Sequence, residues 1–374
     1  MPSWLKEGRG SLCGANVSLL LREMGITKPL LVAGERTKNV FFARTGMRLP
    51  VFDAFHPNPD LQDCVAGAAL YQEKGCDGLI SIGGGSAMDT AKGIKALLMT
   101  DIVHVRANQL PPEGKVPHLA IPGTAGTGAE TTAVAVLYEN GQKLSVDHPA
   151  LLPDGVLLDG SLLDTLPEYH RKSCAMDALA QGIESWWAKK ATPGSRIHAE
   201  RAIRGVLDNL TAYLQGDRKA QDEMLHAAYE SGVAILTTRT TAAHAMSYQI
   251  TKKLGAAHGH ACMLTLPHLW AHLAAQAEYQ PMLTELARIL GGEKPMDGAV
   301  LLKGLLAVLE LDKIPMPDDA TLDMLAASVN PERLGNHPEA LTTAQLRAIY
   351  VQAFTPMTDT ERAEAIAAWE QYGK

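Results

Sequence analysis

The stretch GLISIGGGSAMDTAKGI, residues 78–94, reads as a strand, a glycine loop and a helix in immediate succession. The apolar run GLISI has the length of a buried strand, and three glycines follow it directly. Glycine lets the backbone come close to a ligand and reach positive φ. The N–H groups that open the next helix then favour an anion. Ser86 is placed to cap that helix or to bind a phosphate oxygen. The spacing is not G-x-G-x-x-G, so alone the run suits a tight turn as well as a dinucleotide site.

Working outward, further strand candidates are PLLVA at 29–33, HLAI at 118–121 and VLLD at 156–159. Helical patterns at 61–74 and 86–100 lie between them, the alternation of a parallel sheet covered on both faces. The third strand runs into PGTAGTGAETT, residues 122–132, where Thr124 and Thr127 interleave with glycines. Two such loops at neighbouring strand ends favour a nucleotide crevice over two unrelated turns. After residue 160 strand signals stop, and segments 169–190, 195–214, 220–242, 282–290 and 343–354 suit helices. The reading is therefore α/β plus all-α: a Rossmann-like parallel-sheet domain over 1–160 and a helical domain over 161–374. A ligand cleft is expected where two such domains meet.

Composition narrows the function. The chain has 374 residues, is 46% hydrophobic and 20% charged, and sets 34 basic against 41 acidic residues for a net charge of −7. That balance argues against sequence-independent nucleic-acid binding, which needs a basic surface. The five cysteines (Cys13, Cys64, Cys76, Cys174, Cys262) form no C-x-x-C pair, so a reduced, cytoplasmic setting is expected. Cys174 and Cys262 read as small buried apolar residues. The opening MPSWLKEGRG has no apolar signal core. The charge-free stretch 255–277 is long enough to span a bilayer but carries His258, His260, His268, His272 and Pro267, which argues against a membrane helix.

In CAMDALAQGIESWW, Asp177 and Gln181 lie four apart on one helix face. His244 reads as the end of a helical stretch, and His258 follows the Gly255 break. One carboxylate, one amide and two imidazoles suit Fe²⁺, Zn²⁺ or Mn²⁺. Thirteen histidines also fall near one another by chance, so spacing alone leaves both readings open.

Taken together, GGGSAMDTAK, IPGTAGTGAE, LLPDGVLLDGSLLDTLP, MDALAQGIES, HAMSY and AAHGHA resemble the iron-containing (group III) alcohol dehydrogenases, in family order and over nearly the whole chain. The resemblance implies a dinucleotide domain, a helical domain and one catalytic divalent metal, Fe²⁺ first and Zn²⁺ second. It places metal ligands at Asp177, His244 and His258. It places dinucleotide contacts at Gly83, Gly84, Gly85, Ser86, Asp89, Thr124, Thr127 and Lys143. Gln181 stands where the family usually has histidine, a departure that puts metal affinity and occupancy in doubt. Tyr248 stands where a further histidine is common. The runs DALAQGIESWW, RTTAAHAMSY, AAHGHACMLTL and KLSVDHPALLPD resemble the phosphonoacetaldehyde reductase branch. Family habit implies a homodimer.

The implied reaction is reversible hydride transfer between NADPH or NADH and a small aldehyde, with an anionic substrate expected. Tyr248 and His260 are the candidate proton donors. Arg239 is the first choice for the anion, Lys252 the next, and Lys253 and Arg196 are weaker. Glycine at position 34, where NAD-preferring members match an aspartate, leaves room for a 2′-phosphate that Arg36 would pair with. Glu35 argues mildly the other way. Rival readings are a sulfoacetaldehyde or uncharged-aldehyde reductase, a dehydroquinate-synthase-like lyase, and a non-catalytic relative. Trp186 and Trp187 read as domain-interface packing, and residues 330–338 as a structural loop.

Overall fold

Alternate residues along the central strands face opposite ways, and in this chain both faces are apolar. Leu30 and Val32 join one core cluster with Leu79, Ile94 and Cys64. Leu31 and Ala33 join another with Ile80, Ile82, Leu119 and Phe41. Strands apolar on both faces belong in a parallel sheet sandwiched by helices. The computed structural model, which describes residues 6–111 and 116–372, shows that sheet. The first five residues of the opening segment MPSWLKEGRG lie outside the described residues.

Among the described residues there are eight strands: β1 (Lys6–Arg9), β2 (Pro29–Ala33), β3 (Val51–Phe52), β4 (Gly78–Gly83), β5 (His118–Pro122), β6 (Val134–Glu139), β7 (Gln142–Asp147) and β8 (Gly155–Leu158). Six of them pair in the order β1-β8-β5-β4-β2-β3, every pair parallel. The four strands read from sequence are the four central ones. The edges β1 and β3 escaped that reading, because one is polar and the other only two residues long.

Strands β6 and β7 form a separate antiparallel hairpin. Asn140 and Gly141 both take positive φ at its tip, 51° and 73°. An Asn-Gly pair is a strong hairpin signal, visible in YENGQK, and the sequence reading passed over it.

Contacts divide the chain into two compact units, Met1–Thr165 and Leu166–Lys374. The second unit is helical. Its principal helices include Glu168–Trp187, Pro193–Leu214, Arg218–Thr238, Ala242–Gln249 and His258–Ala274. The expected helix 220–242 is in fact interrupted: it ends at Thr238, Arg239 takes φ of 62°, and a new helix starts at Ala242. His244 therefore lies in the first turn of a helix rather than at the end of one.

Trp187 belongs inside this unit, which corrects its assignment to an interface. It packs edge-on against Trp270 and His337 and donates from Nε1 to Thr241 Oγ1. No helix among the described residues is long and apolar enough to cross a membrane.

Candidate active site: a glycine cradle and a four-donor cluster

In the first unit, β4 and β5 end side by side, and Gly123 N–H donates to Gly83 O at 2.7 Å. Gly83 takes φ of 145°, a conformation that L side chains rarely adopt. A Cβ on Gly123 would stand 3.3 Å from Gly83 Cα, so the two loops meet backbone to backbone. Thr124 lies against Gly84 and Thr127 against Gly85, as a crevice shared by the two loops requires.

The helix Gly85–Met99 begins here with Gly84 as its N-cap and no side-chain cap. Ser86 is thus inside the first turn, not the cap, and its hydroxyl accepts from Asn58 N–H. A cavity of about 350 Å³ opens in front of these N–H groups, lined by Gly34, Arg36, Gly83, Gly84 and Ser86 among others. An uncapped helix start facing a cavity favours an anion there.

A Cβ on Gly34 would meet nothing within 4 Å. Arg36, expected at a 2′-phosphate, instead donates to the side chain and carbonyl of Thr165. Asp89 is pushed up to about 6, burial outweighing the charges of Lys92 and Lys143. Lys143 itself is exposed on β7.

In the second unit, Asp177, His244, His258 and Cys262 bring one donor atom each to within 4.8 Å of one another. His244 Nε2 lies 3.2 Å from Asp177 Oδ1, and His258 Nε2 lies 3.9 Å from it. The other nitrogen of each ring is engaged elsewhere. His244 Nδ1 bonds Glu184 Oε2, and His258 Nδ1 lies 3.3 Å from Ser247 Oγ. Ser247 spends its own proton on His244 O, so His258 Nδ1 is the donor in that pair. Both Nε2 atoms are left facing Asp177.

Glu184 is the residue that sequence reasoning missed here. It is fully buried and accepts from Thr241 Oγ1 at 2.6 Å and Ala243 N–H at 2.7 Å. Its carboxylate serves as the N-terminal cap of helix Ala242–Gln249, which Thr241 does not cap. It also orients His244, as carboxylates behind metal-binding histidines do. Its spacing from Asp177, two turns along the same helix, was the available signal. Burial opposes the Glu184 charge, but His244 and Thr241 outweigh it and hold the carboxyl below its usual range. Asp177 is held low in the same way, against burial, by His258, His244 and Gln181.

Cys262 corrects a second expectation. It is fully buried, but not inert. Burial pushes its thiol up, while His244 and His258 outweigh that and bring it down to about 7. Burial first, and then Asp177, raises the Cys174 thiol to about 12, in keeping with its reading as an apolar residue.

Gln181 is buried one turn from Asp177, and its Oε1 accepts from Ser231 Oγ at 2.7 Å. Tyr248 stacks on His258, with ring centroids 6.0 Å apart and planes at 2°. His260 does not join the cluster. Two residues from His258, it falls on another helix face; its Nε2 meets Leu311 O and its Nδ1 meets Tyr169 OH. Both of its ring nitrogens are thus tied outside the cluster. Arg239 is half-buried in the pinned loop after Thr238, whose carbonyls accept from Asn336. Lys252 and Lys253 are exposed on a π-helical turn, Ile250–Leu254. Arg196 lies over the Trp186 ring and is a packing residue.

Comparison with known proteins follows this division. Residues 3–160 match the family model of iron-containing alcohol dehydrogenase, and residues 172–354 match that of the Fe-containing alcohol dehydrogenase C-terminal region. The NAD-dependent methanol dehydrogenase of Bacillus methanolicus is 30% identical over 299 residues, 75% of this chain and 77% of that protein.

The chain belongs to the iron-containing alcohol dehydrogenase family.

It is an oxidoreductase of that family. The phosphonoacetaldehyde reductase of Streptomyces viridochromogenes is 36% identical over 230 residues, covering 57% of this chain and 58% of that one. The match thus spans less than two thirds of that reductase's length. Among solved structures, the sulfoacetaldehyde reductase of Bifidobacterium kashiwanohense in complex with NAD⁺ superposes with a TM-score of 0.85 at 25% identity, over 95% of this chain and 97% of that one.

Proposed function

We propose that this dehydrogenase is a metal-dependent, NAD(P)H-linked reductase of a small anionic aldehyde, phosphonoacetaldehyde in the first place. The convergence of Asp177, His244 and His258 carries the reading. One carboxylate and two imidazoles with fixed tautomers suit a divalent transition-metal cation. The glycine cradle with its uncapped helix start suits a dinucleotide pyrophosphate. A bound divalent cation supplies Lewis acidity toward a carbonyl oxygen, and a reduced nicotinamide supplies hydride.

The chain's own residues do the rest. Asp177, His244 and His258 would hold the cation, and Glu184 and Ser247 keep both Nε2 atoms aimed at it. Gly83, Gly84, Gly85 and Ser86 would bind the pyrophosphate, and Thr124, Thr127, Asp89 and Lys143 would contact other parts of the dinucleotide. Tyr248, stacked on His258, holds the proton that the product alcohol needs. Arg239 and Lys252 would supply the positive charge that a buried phosphonate demands. Open space at Gly34 favours NADPH with NADH accepted.

The segments shared with the phosphonoacetaldehyde reductase branch support the substrate, together with the 36% match. The test is NADPH oxidation followed with phosphonoacetaldehyde, sulfoacetaldehyde and an uncharged aldehyde in parallel, after chelation and metal return. Preference for phosphonoacetaldehyde by orders of magnitude is expected. Equal turnover of all three removes the substrate assignment and leaves the dehydrogenase. Preference for sulfoacetaldehyde transfers the assignment to the sulfonate.

A further inference from the structure

Three donors leave a metal site one short of the four that tetrahedral cations commonly take from a protein. Two side chains stand close enough to be the fourth, Gln181 and Cys262. Gln181 Oε1 accepts from Ser231 Oγ at 2.7 Å, while its amide bonds Asp177. In that arrangement it orients the carboxylate and offers the cluster no oxygen. Cys262 is placed differently. It lies four residues after His258 on one helix face, fully buried, with Sγ 4.0 Å from His258 Nε2.

Donors bonded to zinc at about 2.0–2.3 Å sit roughly 3.3–3.8 Å apart at the corners of a tetrahedron. The separations found here are 3.2 Å (Asp177 to His244), 3.9 Å (Asp177 to His258) and 4.0 Å (His258 to Cys262). All four donor atoms fall within 4.8 Å of one another. A cation completes the figure by drawing the donors together from separations of no more than 4.8 Å.

We propose that Cys262 Sγ is the fourth ligand of the cation held by Asp177, His244 and His258, with Gln181 a positioning residue for Asp177. The proposal rests on the metal-site reading above and extends it. An Asp-His-His-Cys set is softer than a set completed by an amide oxygen. It shifts preference from Fe²⁺ toward Zn²⁺.

The test uses the full chain, stripped by chelation and reloaded with Co²⁺. Visible d–d absorption reports that the site is filled. A sulfur-to-cobalt charge-transfer band in the near ultraviolet reports a thiolate ligand. Both are expected in the wild type and in Gln181→Ala. Cys262→Ser should keep the visible bands, lose the charge-transfer band and weaken Zn²⁺ binding by more than ~10-fold. X-ray absorption of the zinc-loaded wild type needs no variant and should show one sulfur at about 2.3 Å.

Visible bands without a charge-transfer band or a sulfur shell would overturn the proposal and leave the metal site standing. A charge-transfer band that persists in Cys262→Ser overturns it too, since another cysteine then supplies the sulfur. Absence of visible bands in the wild type brings down the metal-site reading itself, and this proposal with it.

Discussion

Glu184 is buried with no lysine or arginine paired to it among the described residues, and its charge is met by His244, Thr241 and the backbone N–H of Ala243. Replacing it by glutamine keeps the shape and removes the charge that fixes His244. Metal affinity of Glu184→Gln should fall about 10–100-fold, read by titration of the apo protein with Zn²⁺. At Gly34 the change is on the outside of the chain. A Cβ at position 34 meets no atom within 4 Å and the residue lines the cavity beside Arg36, so Gly34→Asp should fold and present a carboxylate near that cavity. The ratio of kcat/KM for NADH over NADPH should rise by about tenfold or more, the worth of one hydrogen bond to a charged group. An unchanged ratio would remove Gly34 from the specificity argument. Glu130 carries a pH signature. Burial raises its carboxyl from 4.5 to about 7, with Lys92 pulling weakly the other way. The folded chain therefore keeps a proton that the unfolded chain has lost, and stability falls as pH rises between those two values. Glu130→Gln should flatten that fall in urea denaturation series at successive pH.

At the scale of elements, Gly259 sets the distance between two helices. A Cβ there would stand 1.9 Å from Ser173 O and 2.6 Å from Asp177 N, both rigid backbone atoms. The glycine lets helix His258–Ala274 lie against helix Glu168–Trp187, and that approach brings His258 and Cys262 to Asp177. Gly259→Ala should cost about 3 kcal/mol, by analogy with overpacked cores, and abolish Zn²⁺ binding. Thermal denaturation and metal content read the two effects separately. The H-G pair in AAHGHA is thus a cluster histidine followed by the gap that lets it reach Asp177. The broken helix at 239–241 has a comparable purpose. It turns the chain so that Ala243 and His244 open a new helix on the Glu184 carboxylate.

For the whole molecule, the proposed function gives each unit its own ligand, a dinucleotide in the first and a metal in the second. Zn²⁺ should slow hydrogen exchange in helices Glu168–Trp187, Ala242–Gln249 and His258–Ala274. NADPH should slow it in β4, β5 and the turn at Gly84. A ligand at a hundred times its Kd stabilises what it binds by about 2.7 kcal/mol, so protection of that order is expected in each unit with its own ligand. Protection of the helical unit by NADPH alone, with no metal present, would contradict this division of labour.

Sequence by itself determined the α/β plus helical plan, the central strands, both glycine loops and three of the four clustered donors. Those features are local: a buried strand needs a continuous apolar run, and a phosphate loop needs consecutive glycines. Tertiary structure alone decided the rest. Cys262 reads as a small apolar residue until helix His258–Ala274 is laid on helix Glu168–Trp187, when His244 and His258 become its neighbours. His260 reads as a proton donor until its two nitrogens are found on Tyr169 and Leu311. Arg36 reads as a phosphate ligand until its guanidinium is found on Thr165. A side chain's chemistry depends on what surrounds it, and those neighbours, up to 129 residues away in the chain, meet only when it folds.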